Sequence, residues 1–322
     1  MKKMIIISVS LFLSICSHAQ KVDSVLTVFW NVENFFDYRD QGTGESDAEF
    51  SSMGSRHWTR KKFQAKCDNI AKSILWLGEK CGRMPDVIGF AEVENRGVLV
   101  HLLTSTLLRK YDYEIVHHDS GDRRGIDVAL IYRRSSFRLV YQYVMVPEYE
   151  GEKLYTRDIL CVSLADADGV CTRFIVNHHP SKYGGAKESE GRRNAVMMEL
   201  KQMCDSLSEV SDYPIIAMGD FNDTPDGPAF TIVDGTLENK GMKLHEAGYG
   251  TIRYEGRWEL IDNFLVSPGL ASEMEIYRIP FLMTWEKKHP GEKPLRTYSG
   301  PRYIGGVSDH CPITLWYFKG NS

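Results

Sequence analysis

Short runs rich in Val, Ile, Phe and Tyr recur along the whole chain and end in turn-forming residues, and this pattern constrains the fold more than any other feature. Side chains of these types suit the pleated surface of a sheet, so each run predicts a β-strand. The predicted strands cover residues 25–32, 87–91, 113–117, 128–132, 137–146, 159–164, 172–177, 215–218, 260–266 and 313–318. Many of them follow one another with no helical pattern between them, which favours mostly antiparallel pairing.

Helical spacing of apolar residues is clear in only three segments. Apolar side chains recur at intervals of three and four over residues 63–77 and 196–207, and residues 96–110 form a third candidate helix with Asn95 as its N-cap. Many strands and few helices predict an α/β fold in which two sheets pack together and helices cover the outer faces.

The N-terminal segment has the pattern of a secretory signal peptide. Two lysines follow the first methionine, residues 4–15 are apolar but too few to span a bilayer, and residues 17–19 (Ser-His-Ala) resemble a cleavage site. We therefore predict that residues 1–19 are removed and that residues 20–322 are exported, to the periplasm or the extracellular space. A buried first strand is the alternative interpretation of this segment.

The cysteines leave two questions open. Lipid attachment at Cys16 is an alternative to simple cleavage, although Ile15 is a poor residue to precede a lipidated cysteine. Cys161 and Cys171 flank a turn and could face each other across a hairpin, so an exported protein could hold a disulfide there. Buried free thiols are equally compatible with the pattern. The cysteines beyond residue 19 are Cys67, Cys81, Cys161, Cys171, Cys204 and Cys311.

Composition indicates one ordinary globular domain over residues 20–322. The chain shows no repeat, low-complexity tract or linker, and no segment after the N-terminal one is apolar enough to cross a membrane. Lys and Arg number 39 against 43 Asp and Glu, a net charge of -4, so the overall basic charge of a dedicated nucleic-acid binder is missing. A local basic groove remains compatible with this balance. Nothing in the sequence indicates a protein partner.

Polar residues gather where the predicted strands end. Oxygen ligands without cysteine suit Mg²⁺, Mn²⁺ or Ca²⁺ rather than a structural zinc, and nearby histidines can act as general acid or polarising donor. Together these groups suit hydrolysis of a phosphate ester. The polar segments are Trp-Asn-Val-Glu-Asn at 30–34, Glu-Val-Glu-Asn at 92–95, Asn-His-His-Pro-Ser-Lys at 177–182, Gly-Asp-Phe-Asn-Asp at 219–223, Asp-Asn at 262–263 and Ser-Asp-His at 308–310.

These motifs, in this order and over nearly the whole mature chain, resemble the endonuclease/exonuclease/phosphatase superfamily. That superfamily includes pancreatic-type deoxyribonucleases, neutral sphingomyelinases and inositol polyphosphate phosphatases. The resemblance implies a four-layered α/β sandwich and a metal-dependent phosphoesterase. It draws on Pro-Asp-Val-Ile-Gly-Phe-Ala-Glu at 85–92 as well as on the strand-end motifs.

The resemblance also assigns roles by position. Asn31, Glu92 and Asp309 match the residues of the metal site, with Glu92 favoured over Glu94 as the principal carboxylate. His178, rather than His179, matches the histidine that contacts phosphate. The remaining matches are Asp220 and Asn222, which orient water and stabilise the transition state, and Asp262 with His310, a carboxylate that holds the closing catalytic histidine.

Five further residues are candidates. Asp119 matches a carboxylate that partners the first histidine, and a solvated loop aspartate is the alternative. Candidate phosphate-contacting residues are Arg124, Arg193, Arg296 and Tyr298.

The substrate stays open at this point, because a fold does not choose one. Gly-Asp-Phe-Asn-Asp-Thr-Pro at 219–225 is closer to the nuclease and sphingomyelinase branches than to the inositol phosphatases. We expect a phosphodiesterase or nuclease first. A sphingomyelinase-like or other small-molecule phosphoesterase is the second hypothesis, and a catalytically inactive binding module is the third.

Overall fold

The computed structural model describes residues 24–40, 42, 44–182 and 185–319, so the predicted signal peptide lies outside it. Twelve strands build two large sheets. They are β1 (Ser24–Phe35), β2 (Val87–Val93), β3 (Tyr113–His117), β4 (Asp127–Arg133), β5 (Arg138–Met145), β6 (Ile159–Ala165), β7 (Cys171–His178), β8 (Ile215–Asp220), β9 (Glu238–Asn239), β10 (Asp262–Val266), β11 (Ser272–Ile276) and β12 (Ile313–Phe318).

Five α-helices are present among the described residues: α1 (Arg60–Lys80), α2 (Arg96–Ser105), α3 (Ala186–Val210), α4 (Pro228–Thr231) and α5 (Met242–Glu246). Short 3₁₀ turns cover Leu107–Lys110 and Pro280–Leu282. Four small hairpins decorate the loops: Glu148–Tyr149 with Glu152–Lys153, Ile252–Tyr254 with Arg257–Glu259, Met283–Glu286 with Gly291–Pro294, and Tyr298–Ser299 with Arg302–Tyr303.

Each large sheet has six strands and one parallel pair. The first sheet has the order β11-β12-β1-β2-β4-β3 and the second has β9-β10-β8-β7-β6-β5. The parallel pairs are β1 with β2 and β7 with β8, and the other neighbours are antiparallel. Because parallel strands end at the same edge, each pair brings two strand ends together in one place.

Three apolar clusters separate four layers. One lies between helices α1 and α2 and the first sheet, one between the two sheets, and one between the second sheet and helices α3 and α4. Side chains on opposite faces of strand β1 contribute to different clusters. Val28 and Trp30 belong to the helix-side cluster, whereas Val25 and Phe29 belong to the cluster between the sheets. The structure therefore confirms the predicted four-layered α/β sandwich.

A glycine allows the two sheets to approach closely. A Cβ on Gly89, in the middle of β2, would lie 2.7 Å from the sulfur of Met218 on β8. A side chain at this position would displace the Met218 side chain, and both strands end in residues of the candidate site.

One local prediction needed revision, and one question that the sequence left open is answered. The segment 96–110 is not one helix, because Thr106 adopts an extended backbone, accepts from the Leu108 N–H and so starts a separate 3₁₀ turn. The hairpin disulfide is absent: β6 pairs Cys161 with Ile175, β7 pairs Cys171 with Ala165, and all six cysteines within the described residues are free thiols.

The fold places the polar strand ends at one edge. Asp220, the last residue of β8, lies opposite His178 at the end of β7 and opposite Asp262 at the start of β10. In the other sheet, Asn31 on β1 pairs with Ala91, next to Glu92. None of the helices in the described part of the chain is long and apolar enough to cross a membrane.

We predict that Asp86→Ala lowers the free energy of unfolding by about 3 to 5 kcal/mol, because it leaves buried partners unpaired. The Asp86 carboxylate is 1% exposed and accepts from the Leu26 N–H at 3.0 Å, from Ser136 at 2.6 Å and from Arg83 at 2.7 Å. Urea unfolding measures the change.

The control for this experiment is Asp112→Ala, which removes an exposed ion pair with Arg134. Its unfolding midpoint should stay close to that of the wild type. Equal destabilisation by the two variants would contradict the role given to Asp86.

Candidate active site

The two parallel strand pairs end around a cavity of about 270 Å³ with polar walls. Both sheets contribute, together with the loops that precede β4, β6 and β12. The residues that line it are Glu33, Asn34, Glu92, Arg124, Arg157, His178, Ser181, Asp220, Asn222, Arg296, Asp309 and His310.

Unusual backbone conformations cluster here. Glu33, Asn34, Glu92 and Asn222 all have φ between 48° and 63°, and they are four of only seven non-glycine residues with positive φ in the described chain. The register of β1 with β2 shifts between Asn31 and Phe35, and that of β2 with β4 shifts between Ala91 and Val93. Such irregularities re-aim side chains at a strand end, and strained residues concentrate at functional sites.

Asp220 is the centre of the buried contacts. Its Oδ2 accepts from the Asn31 amide at 3.0 Å and lies 3.4 Å from Nε2 of His178, and its Oδ1 accepts from the Asn222 N–H at 2.9 Å. Burial and the neighbouring Asp262 carboxylate raise the pKa of Asp220 to about 7. A carboxylate in this state can accept a proton near neutral pH.

His310 is held through its ring by Asp262 and through its own backbone by two neighbouring side chains. Its Nδ1 lies 2.8 Å from Oδ2 of Asp262, and its Nε2 lies 3.8 Å from both Asp220 and Asp309. The indole of Trp30 donates to the His310 carbonyl, and Ser308 accepts from the His310 N–H. The pairing predicted between Asp262 and His310 is therefore present in the structure.

The two site histidines have opposite preferences for charge. Burial opposes protonation of His310, but the carboxylates of Asp262, Asp220 and Asp309 hold its pKa well above the ordinary value. Burial and the nearby Arg157 and Arg124 hold the pKa of His178 well below it. The surroundings thus favour the charged form of His310 and the neutral form of His178, and both rings face the cavity.

His179 does not line the cavity. Burial, with Arg157 and Arg193 nearby, lowers its pKa to about 3, and its ring packs edge-on against Phe221 with centroids 5.0 Å apart. Of the two adjacent histidines, only His178 faces the cavity.

Glu92 is held as an anion by its surroundings. Burial alone would raise its pKa, but Arg124 and the Asn34 N–H, at 2.8 Å, bring it to about 2. Arg124 reaches Glu92 at 3.1 Å and the Asn34 side chain at 2.6 Å. The neighbouring Glu94 turns away and accepts from the Asp37 N–H, so Glu92 alone of the two faces the cavity.

A second arginine closes the opposite wall. Arg296 donates twice to Glu33, at 2.7 and 2.9 Å, and lies 3.2 Å from Asp309. Burial and the charge of Asp309 raise the pKa of Glu33 to about 7, although Arg296 and Lys66 act against the rise. Lys66, a fully buried lysine on α1, donates to the Glu33 carbonyl and to Thr297.

The donor set suits a divalent cation. Glu92 and Asp309 offer carboxylate oxygens to a cavity with room for water, and Mg²⁺ usually takes one or two carboxylates plus waters. The charge of Asp309 adds to burial in raising the pKa of Glu33, so a cation beside these two carboxylates would reduce their repulsion. Asp220, Asp262 and His310 also lie within 4.8 Å of one another, but Nδ1 of His310 and Oδ2 of Asp262 are already engaged with each other at 2.8 Å.

Five predicted site residues lie outside the cavity lining, and one of them, Asp262, stands behind it as the partner of His310. Asn31 sits behind the wall, where its amide is engaged by the Glu33 N–H and by Asp220, so its placement supports Asp220 rather than a metal. Asp119 does not reach His178. Its carboxylate is 83% exposed, and its ion-pair neighbour is His117 at 3.9 Å, because the loop after β3 turns it to solvent.

The other two are Arg193 and Tyr298. Arg193 is buried on α3, where it donates to Ser189 one turn earlier. Tyr298 packs among Phe50, Trp58 and Tyr303 and donates to the Arg56 carbonyl. Neither side chain lines the cavity, so the structure does not support a phosphate contact for either.

Sequence reasoning missed four residues of the lining, which are Glu33, Asn34, Arg157 and Ser181. Glu33 and Asn34 stand inside the first motif but received no role, because only the bulge in β1 turns both toward the cavity. Arg157 carried no signal in its surroundings. It is buried, pairs with Asp122 at 3.2 Å and donates to the His179 carbonyl at 2.8 Å.

We predict that Asp262→Asn lowers the pKa of His310, because the closest stabilising charge is lost while the burial that disfavours the cation remains. The ring nitrogens of His310, followed by NMR from about pH 5 to pH 9, measure the change. Asp226→Asn, a substitution at an exposed carboxylate outside the cavity, is the control. An unchanged His310 titration in Asp262→Asn would contradict the electrostatic account.

Solved structures share this fold. The catalytic domain of human nocturnin with bound sulfate aligns with a TM-score of 0.60 and 17% identity over 92% of this chain and 94% of that one. An endonuclease/exonuclease/phosphatase family protein of Bacteroides thetaiotaomicron gives 0.59 and 16% over 92% and 99%. A mannosyl-6-phosphatase of the same species gives 0.57 and 16% over 90% and 98%.

A search of curated proteins finds no match to this sequence. The model of the endonuclease/exonuclease/phosphatase family matches residues 26–319, a span that contains every strand end of the cavity. This match agrees with the strand-end motifs and with the four-layered architecture. The chain belongs to the endonuclease/exonuclease/phosphatase family.

Proposed function

We propose that this protein is an exported, divalent-metal-dependent phosphoesterase that attacks phosphate esters with water. The observation that carries the proposal is the convergence of Glu92, His178, Asp220, Asp309 and His310 on one polar cavity in a family of phosphoesterases. Export rests on the signal-peptide pattern of residues 1–19 and places the enzyme in the periplasm or outside the cell.

Glu92 and Asp309 would hold the cation, which we propose to be Mg²⁺ or Mn²⁺, with Ca²⁺ as an alternative. When bound, the ion neutralises charge on the phosphate and polarises its P–O bonds. The ion pair with Arg124 keeps Glu92 ionised, and the ion pair with Arg296 fixes the direction of Asp309. The protein thus supplies two carboxylates of defined orientation before substrate arrives.

Asp220 is the residue placed to orient and deprotonate the attacking water. It is buried, its pKa lies near neutrality, and its two oxygens are fixed by Asn31 and Asn222. Neutral His178, 3.4 Å from the same carboxylate, can direct a ring N–H without carrying charge. These contacts favour a single geometry for the nucleophile.

His310 supplies positive charge where the phosphate gains negative charge. Its Nδ1 is held by Asp262, so Nε2 is the ring atom directed at the cavity side, near Asp220 and Asp309. Arg124 and Arg296 have half-exposed guanidinium groups and can donate to phosphate oxygens as well as to their carboxylate partners. Preformed donors of this kind stabilise a transition state without reorganisation.

A phosphodiester, in a nucleic acid or a smaller molecule, remains the first proposed substrate because of the Gly-Asp-Phe-Asn-Asp-Thr-Pro motif at 219–225. The size of the cavity favours a second candidate. A volume of about 270 Å³ is just below the range of roughly 300 to 1,000 Å³ for small-molecule sites, which suits a compact phosphoester such as a sugar phosphate or a lipid head group. An inactive binding module is disfavoured, because the cavity holds both histidines and the carboxylates together.

We predict that chelation abolishes hydrolysis by the mature protein, residue 20 onward, and that Mg²⁺ or Mn²⁺ restores it. The assay panel contains duplex DNA, single-stranded RNA, sphingomyelin, inositol phosphates and sugar phosphates. Turnover that survives complete removal of metal would overturn the proposed chemistry.

We also predict that His310→Ala and Asp220→Asn each reduce turnover by about 10² to 10⁴, the usual contribution of a general acid or base. His118→Ala and Asp226→Asn are the matched controls, since both side chains lie outside the cavity. Circular dichroism confirms folding of each variant. A near-normal rate in folded His310→Ala would show that the cavity is not the catalytic site.

A further inference from the structure

A second cluster of metal-binding side chains lies at the base of the loop between β3 and β4. One ring nitrogen of His117 and one carboxylate oxygen each of Asp119 and Asp127 lie within 4.8 Å of one another. The register pairs His117 with Ala129, and side chains alternate along a strand, so His117 and Asp127 project to the same face of the sheet. None of the three lines the active-site cavity.

The His117 ring is buried without a hydrogen bond at one nitrogen. The side chain is 2% exposed, and its Nε2 has no hydrogen-bond partner. This nitrogen nevertheless lies 3.2 Å from Oδ2 of Asp127. Two ligands of one tetrahedral zinc ion, each bonded at about 2.0 to 2.1 Å, would lie about 3.3 Å apart. The separation therefore fits two atoms that face a shared cation.

The surroundings of Asp127 and Asp119 suit such a site. The other oxygen of Asp127, Oδ1, accepts from the N–H and the hydroxyl of Ser120 at 2.8 and 2.6 Å, which fixes the carboxylate with Oδ2 toward His117. Hydrogen bonds of this kind orient metal ligands. Asp119 is 83% exposed, so the cluster is open to solvent on one side and an ion could enter and keep a water ligand.

We propose that His117, Asp119 and Asp127 form a second divalent-cation site, of the zinc type, outside the active site. One imidazole with two carboxylates is a donor set that suits Zn²⁺ better than Mg²⁺. The ion would clamp the two ends of the loop 118–126. In that loop, Arg124 pairs with Glu92 and Asp122 pairs with Arg157. Fixing the loop would therefore fix two arginines of the catalytic cavity, Arg124 and Arg157.

The test removes the active-site ligands first. Protein with Glu92→Gln and Asp309→Asn is stripped with a chelator, dialysed against low-micromolar ZnCl₂ and analysed for bound zinc. We expect this background protein to retain bound zinc, and the further change Asp119→Asn to reduce it to the level of the buffer. His118→Gln, on the adjacent half-exposed histidine that pairs with Asp158, should retain the zinc.

Asp119→Asn alters an exposed side chain and should fold, which circular dichroism checks. His117→Gln is the second variant and should lose zinc in the same way. Zinc-edge anomalous diffraction from the background protein should show the ion between His117 and Asp127. Equal zinc content with and without Asp119→Asn, or an anomalous peak elsewhere, would overturn the proposal. Neither result depends on whether the protein hydrolyses phosphate esters.

Discussion

The hydrogen bond from Asn31 to Asp220 joins the two sheets at the point where the chemistry is proposed. Asn31 comes from a strand of the first sheet and Asp220 from a strand of the second, and the two atoms are 3.0 Å apart in a fully buried position. A buried carboxylate is costly unless its oxygens are paired, so this contact can form only if both sheets end in register. The rest of the site depends on it, because His178, Asn222 and His310 are all arranged around the same carboxylate.

The second constraint is electrostatic. Four acidic side chains, three arginines and two histidines line the cavity, and Arg296 pairs with two of the carboxylates, Glu33 and Asp309. Arg124 favours the ionised form of Glu92, and Asp262 favours the protonated form of His310. Burial brings the pKa of Asp220 close to neutral pH. Groups of the same type therefore take different roles because their environments differ. The strained backbone at Glu33, Asn34, Glu92 and Asn222 is maintained by these same contacts.

Sequence patterns predicted most of the fold and the centre of the site. Runs rich in Val, Ile, Phe and Tyr located strands such as β3 and β12 to the residue, and polar residues at strand ends pointed to His178, Asp220 and His310. Three things were beyond such reasoning. The bulges that aim Glu33 and Asn34 are a matter of register between strands distant in sequence. Arg157 comes from a loop with no motif. Asp119, Arg193 and Tyr298 lie outside the cavity lining for one shared reason: the sequence does not reveal whether a side chain turns to solvent, helix or core.

Manganese anomalous diffraction from crystals of the wild-type protein, soaked with Mn²⁺ and inorganic phosphate, tests the central claim most directly. The account predicts a Mn²⁺ peak in contact with Glu92 and Asp309, and phosphate beside it within hydrogen-bonding distance of His310 and an arginine. It also predicts that Asp220 stays in place at the end of β8, free of direct contact with the ion. A cavity that remains without Mn²⁺ and phosphate, or phosphate bound far from His310, would contradict the proposal that these strand ends form a metal-assisted phosphoesterase site.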